Sequence, residues 1–408
     1  LQTAHLLHYN IIMEGSMNRI KNILEILSVF LRLGFTSFGG PVAHLGYFHD
    51  EFVSRRKWMS EQEYADLVAL CQFLPGPASS QVGFAVGLKR GGKLGGLAAW
   101  FGFTMPSALI MIAFAYGLDF FGGSLDSGWL KGLKVAAAAV VAHAVWSMAV
   151  KLCPDRMRAV VAVLAACAVL SVSSGLMQIG VIIAGGLAGY FFINTDSGSS
   201  GVKRKSRVRE GAVYLALFFA LLAALPIAAS VTELQSVKVA DSFYRAGSLV
   251  FGGGHVVLPL LQAEVTSGNW ITADKFMAGY GAVQAVPGPL FTFAAYLGTA
   301  SGVQPNGFSG GMLALVFIFL PSVLLVMGVL PFWESLRALP SVQKVLAGTN
   351  AAVVGLLLAA FYDPVFAEGI TGHREMVIGL MGFGLLQFMK APSWSVVIFS
   401  AVSGVILL

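Results

Sequence analysis

The chain has 408 residues, of which 57% are hydrophobic and only 11% charged, and its mean hydropathy is +0.78. Soluble domains carry about 25% charged residues, so this composition excludes a water-facing globular surface. The formal net charge of +6 does not point to nucleic acid, because the basic residues gather between apolar runs, where the positive-inside bias places them.

Apolar stretches of about 18 residues or more recur along the chain, as hydrocarbon-spanning helices require. Leu1 to Ser16 is irregular and has no signal-peptide layout, and Met13 or Met17 is a candidate initiator. A first transmembrane repeat is expected over 18–194. It opens with an apolar helix, Ile20–Phe38, that carries Arg32 and ends in Phe38-Gly39-Gly40-Pro41. His44, Glu51, the basic run Arg55-Arg56-Lys57 and Trp58 follow. Ser60 reads as the N-cap of the next helix, with Glu63 completing a capping box. That helix runs through Gln72 into Pro75-Gly76-Pro77, beyond which the spacing predicts a half-helix over Ala78–Leu88. Pro106-Ser107 lies inside a later apolar run. Residues 195–235 read as a linker, with Lys203, Arg204, Lys205, Arg207 and Arg209 on the cytoplasmic side, plus one connecting transmembrane helix.

The second repeat, expected over 236–408, retells the first. Arg245 sits in an apolar helix (Val239–Phe251) that ends in Phe251-Gly252-Gly253-Gly254, and then come His255, Glu264, Trp270 and the N-cap candidate Thr272. Gln284 precedes Pro287-Gly288-Pro289, a half-helix is expected over Leu290–Thr299, and Pro321-Ser322 echoes Pro106-Ser107. Six spans, one connector and six more make about thirteen, and the single connector inverts the second copy, leaving the C-terminus outside. Re-entrant hairpins at the triplets would preserve the inversion. Cys71, Cys153 and Cys167 lack metal-ligand spacing and read as packing thiols.

An intramembrane cation is costly and marks function by default. Arg32 and Arg245 stand at the same distance before Phe-Gly-Gly, and an inverted pair would bring them together as two planar forks for an oxyanion. Snorkelling to the interface is the competing reading. Proline breaks the helix at each triplet, so the amides of Ala78, Ser79 and Ser80, and of Leu290, Phe291 and Thr292, are expected free at positive helix ends. Discontinuous helices of this kind form anion sites in transporters. Gln72 and Gln284 are candidate neutral donors, with interhelical packing as the alternative. Gly39, Gly40, Gly252 and Gly253 allow close approach of a helix or a ligand. His44 and His255 are candidates for proton coupling. Glu51 and Glu264 are better ones, because they share the spacing of the arginines. No nucleotide loop or metal-ligand spacing is present, so neither an enzyme nor a cofactor is expected.

The Phe-Gly-Gly-Pro run, Arg56-Lys57-Trp58, Gln-Phe-Leu-Pro-Gly-Pro and the second-half Phe-Gly-Gly-Gly-His with Gln-Ala-Val-Pro-Gly-Pro resemble the chromate ion transporter family in its long two-domain form. The likeness covers nearly the whole chain from Asn18. It implies chromate export across the bacterial inner membrane, driven by membrane potential or a proton gradient, with resistance as the outcome and sulfate as competitor. The composition places the chain as a multi-pass protein in the lipid bilayer, and a homodimer is one candidate assembly. The alternatives are a carrier of sulfate or another anion, and a membrane enzyme or flippase acting on a lipid phosphate.

Overall fold

The structure, a computed structural model, describes residues 20–38, 40–120, 128–172, 175–193, 208–232, 234–251, 256–266, 268–333 and 339–408. Gly39, Gly252, Gly253, His255 and the basic run from Lys203 to Arg207 fall outside them. All regular structure among the described residues is helical. The chain is an all-α polytopic membrane protein.

The first repeat begins with α1 (20–36), α2 (Gly40–His49, extended by a π turn over Asp50–Arg55) and α3 (Glu61–Phe73). It continues with α4 (Ala78–Phe120), α5 (Gly128–Leu152), α6 (Arg156–Ser171) and α7 (Gly175–Phe192). The connector is α8 (Val208–Val231). The second repeat holds α9 (Gln235–Leu249), α10 (Val257–Val265), α11 (Ala273–Val283), α12 (Phe293–Thr299) and α13 (Gly307–Val329). It closes with α14 (Pro340–Ala360), α15 (His373–Gln387) and α16 (Ser393–Leu407).

Among the described residues, five helical stretches are long and apolar enough to cross a membrane: Ala78–Leu118, which breaks into two helices at Gly91 and Gly92, Gly128–Leu152, Arg209–Val231, Gly307–Phe332 and Pro340–Gly369. About thirteen full-length spans are therefore not what forms among the described residues. The triplets account for the short helices α3, α11 and α12. At a rise of about 1.5 Å per residue, the 13 residues of α3 reach only part of the way across the hydrocarbon layer. The expected half-helix from Ala78 exists, but it ends two residues later than Leu88. There the backbone leaves helical angles at Gly91 (φ −132°) and Gly92 (φ +66°).

The two sequence repeats do not pack as separate bodies. Helix α5 lies against α15 and α16, whereas α14 lies against α6 and α7. Both crossings rest on glycines, which let membrane helices approach backbone to backbone. A side chain at Gly132 would strike Ser400 and Ala401, and one at Gly348 would strike Gly185 and Gly189. Each half thus supplies the missing neighbours of the other.

Candidate functional site: the two proline-glycine-proline junctions

Ser60 and Glu63 form the expected capping box at the start of α3, and Thr272 accepts from the Lys275 amide at the start of α11. These caps set where each helix begins, and the triplets set where it ends. Helix α3 stops at Phe73 with Leu74 extended, and α11 stops at Val283. Gly76 and Gly288 then turn the chain at φ +119° and +96°, a region costly for any residue with a side chain.

The amides of these two glycines leave their own repeats. Gly76 donates to the Val250 carbonyl at 2.6 Å, and Gly288 donates to the Ser37 carbonyl at 2.8 Å. Ser37 and Val250 end the matched helices α1 and α9, so each triplet is tied to the first helix of the opposite repeat. The serines of the Pro-Ser echoes complete the exchange. Ser322 crowds Gly76, and Ser107 Oγ lies 2.9 Å from where a Cβ at Gly288 would stand.

Helix starts with free amides follow each triplet. The Gln81 amide bonds the Pro77 carbonyl at 3.0 Å, leaving those of Ala78, Ser79 and Ser80 without an acceptor among the described residues. In the second copy a 3-10 turn, Leu290–Thr292, precedes α12. The Thr292 amide there bonds the Pro289 carbonyl at 3.1 Å, so only those of Leu290 and Phe291 stay open. The Ser79 hydroxyl meets His44 Nδ1 at 3.3 Å, and His44 Nε2 reaches the Ser37 carbonyl at 3.2 Å, which places His44 at the junction.

The arginines are engaged within their own repeats. Arg32 pairs with Glu51 at 2.6 Å, and Arg245 pairs with Glu264 at 2.9 Å and with Asp241 at 2.8 Å. The matched spacing of Arg and Glu is therefore a matched ion pair. Glu51 is further held by Arg55 at 3.1 Å and Arg56 at 2.6 Å.

Gln72 is exposed, whereas Gln284 is buried within hydrogen-bond reach of Tyr280. A side chain at Gly40 would meet nothing within 4 Å, so its glycine serves the backbone angle (φ +77°) and not a close approach. Of the cysteines, Cys71 is buried and Cys167 exposed, and all three are free thiols. An apolar cavity of about 240 Å³ beside Val286 and Leu133 has no charged side chain in its lining, where Trp129 is the one polar-tipped residue. A larger one of about 700 Å³ is lined at Lys93, Glu210 and Tyr214, and its lysine is already paired with Glu210 at 2.7 Å.

The sequence matches the family described as chromate transporter twice, over residues 24–190 and 237–405. The chain belongs to the chromate transporter family. It is 28% identical over 377 residues to a chromate transport protein of Pseudomonas aeruginosa, a match covering 90% of this chain and 87% of that one. A probable chromate transport protein of Synechococcus elongatus is 26% identical over 398 residues, covering 94% and 95%. A chromate transport protein of Cupriavidus metallidurans is 25% identical, covering 82% and 81%. No solved structure matches the chain. Family membership places the doubled segment on the same two repeats that the triplets mark.

Sequence reasoning missed Gln81, Ser37 and the part played by Ser107 and Ser322. The Pro-Ser echo was a signal for the last two, because a duplicated polar residue beside a helix-breaking proline has reason to face the other copy.

Proposed function

We propose that this protein is a secondary transporter that exports chromate across the bacterial inner membrane, with its two repeats inverted about the paired junctions. The observation that carries the reading is the reciprocal bonding of Gly76 to Val250 and of Gly288 to Ser37. It sets two helix starts with open amides at the contact between repeats, where a carrier's site belongs. Anion chemistry suits this place, since helix N-termini and amides favour negative charge. The names of the relatives supply the substrate, and sulfate is the competitor of like shape.

Chromate carries charge near −2. Moving it out of a cell that is negative inside releases about 2.3 kcal/mol per charge per 100 mV, so export is electrically downhill. Arg32 serves as an exchange partner in this scheme, because an oxyanion approaching it competes with Glu51, which keeps Arg55 and Arg56 when Arg32 turns to the anion.

Uptake of radiolabelled chromate into everted vesicles, with and without excess sulfate, tests the function. Potential-dependent uptake supports it, and absence of uptake overturns it. Reporter fusions at the basic linker and at Leu408 test the inversion. They should report from opposite sides, and signals from one side would count against an odd number of spans.

A further inference from the structure

Two of the buried hydroxyls without a partner among the described residues, those of Ser322 and Ser80, lie in the segments that meet at the Gly76 junction. Four buried hydroxyls in these helices satisfy themselves on their own backbone. Ser248 donates to the Tyr244 carbonyl at 2.7 Å, Thr299 to Ala295 at 2.7 Å, Thr292 to Pro289 at 2.8 Å and Ser107 to Thr104 at 3.1 Å. Back-bonding of this kind is the ordinary resting place of a serine or threonine in an apolar helix.

Ser322 departs from it. It is 4% exposed and its hydroxyl has no partner among the described residues, although its matched residue Ser107 is satisfied. The hydroxyl points at Gly76, the turning residue of the opposite repeat's triplet. Gln81 Nε2 lies 2.7 Å from where a Cβ at Gly76 would stand, and it donates to the Pro75 carbonyl. Ser80, one residue earlier, is 5% exposed and its hydroxyl is also unpartnered. Both hydroxyls belong to the setting of the helix start at Ala78, whose first three amides are open. Helix 78–90 is long enough to carry a dipole. A buried polar atom without a partner carries a desolvation penalty, so two such hydroxyls beside one helix start call for a ligand or a state that satisfies them.

We propose that Ser322 of the second repeat, Ser80 and the open amides of Ala78, Ser79 and Ser80 form a single seat for a tetrahedral oxyanion. The proposal rests on the transport reading above and sharpens it to one junction. The seat is built of uncharged donors. Hydroxyls and amides can surround a fully ionised dianion in a dry site and still release it, whereas a trapped guanidinium would hold it firmly. At the Gly288 junction the Ser107 and Thr292 hydroxyls and the Thr292 amide are already bonded, so the open amides of Leu290 and Phe291 lack the paired serine hydroxyls of the first seat. Ser322 thereby becomes a specificity-determining residue contributed across the repeat boundary.

The test is chromate uptake by the full chain in proteoliposomes, comparing KM and maximal rate for wild type, Ser322→Ala, Ser80→Ala and Ser107→Ala, with sulfate as competitor. Loss of one hydrogen bond to a charged ligand corresponds to about a tenfold or greater rise in KM. That rise is expected for Ser322→Ala and Ser80→Ala with the maximal rate largely kept, and a smaller rise is expected for Ser107→Ala. Ser322→Thr, which restores the hydroxyl, should recover much of the affinity. Unchanged KM in Ser322→Ala, or an equal rise in Ser107→Ala, overturns the single seat while leaving transport intact. Should the wild type carry neither anion, the transport reading fails, and the seat is then judged by thermal shift with sodium sulfate or sodium chromate. Stabilisation of wild type but not of Ser322→Ala sustains the seat, and no stabilisation overturns it.

Discussion

The two Arg–Glu nodes occupy matched places and carry opposite surpluses of charge. In the first repeat one carboxylate, Glu51, is surrounded by Arg32, Arg55 and Arg56. In the second, one guanidinium, Arg245, is held by two carboxylates, Asp241 and Glu264. Burial differs as well, with the Arg32 side chain 45% exposed and that of Arg245 24% exposed. Duplication preserved the ion pair, while the residues around it diverged. The first node carries spare positive charge, whereas the second carries spare negative charge around its one guanidinium. The triplet junctions are uneven too, with three open amides after Pro77 and two after Pro289 among the described residues.

The strongest way to break this comparison is to fill a triplet turn. Gly76→Val forces a branched residue to φ +119° and drives it into Ser322 and Gln81. Backbone strain alone is worth about 1–3 kcal/mol. Transport should be abolished in protein that still reaches the membrane, with Gly288→Val close behind, as measured by uptake normalised to immunoblot. Normal uptake by Gly76→Val would remove the junction from the mechanism.

The arginines should separate next. Arg245→Ala leaves Asp241 and Glu264 facing each other without a cation, and breaking a buried pair in this way costs about 3–5 kcal/mol. Lower yield and a lower melting temperature are expected, with partial recovery in Arg245→Ala combined with Asp241→Asn. Arg32→Ala leaves Glu51 on Arg55 and Arg56, so folding should be nearly unchanged while transport falls. Lysine at either place should rescue poorly for want of the fork. Equal destabilisation by both alanine variants would erase the contrast between the nodes.

The smallest effect lies at the rim of the first node. Exposed His49 is held protonated above its usual range, first by its hydrogen bond to Glu61 at 2.8 Å and further by Asp50. Because its folded-state value is raised, the stability it contributes is fully present below about pH 6.5 and is lost as pH climbs through the raised value. A small fall in melting temperature across that window should disappear in His49→Gln. The second repeat, which has no histidine matched to His49, should add no such step.

Much of this was legible in the sequence, and the limit of legibility is physical. Helix breaks at Pro75-Gly76-Pro77 and Pro287-Gly288-Pro289, the caps at Ser60 and Thr272, and the shared spacing of Arg32–Glu51 and Arg245–Glu264 all follow from local rules. Those rules act within a few residues, or on the repeat taken as a unit. What they could not supply is the partner across the interface. Nothing near Gly76 in sequence names Val250 as the acceptor of its amide. Gln72 was favoured for its place before the triplet, yet it is exposed on α3, and Gln81 on the next helix lies at the turn instead. Ser322 was visible as an echo of Ser107, but its missing hydrogen bond exists only in three dimensions.

The exchanged crossings carry a consequence for how the protein is made. While the ribosome is still translating the second half, α5 has no α16 to receive Gly128 and Gly132, and the Gly185 and Gly189 face of α7 has no α14. The first half must therefore wait in the bilayer with its tightest grooves filled only by lipid, and contacts this distant in sequence close slowly. Assembly becomes a late, concerted zippering, in which truncation after the connector should leave a fragment unable to mature. Supplied in trans, the missing half could still dock, because the grooves that await it are already shaped.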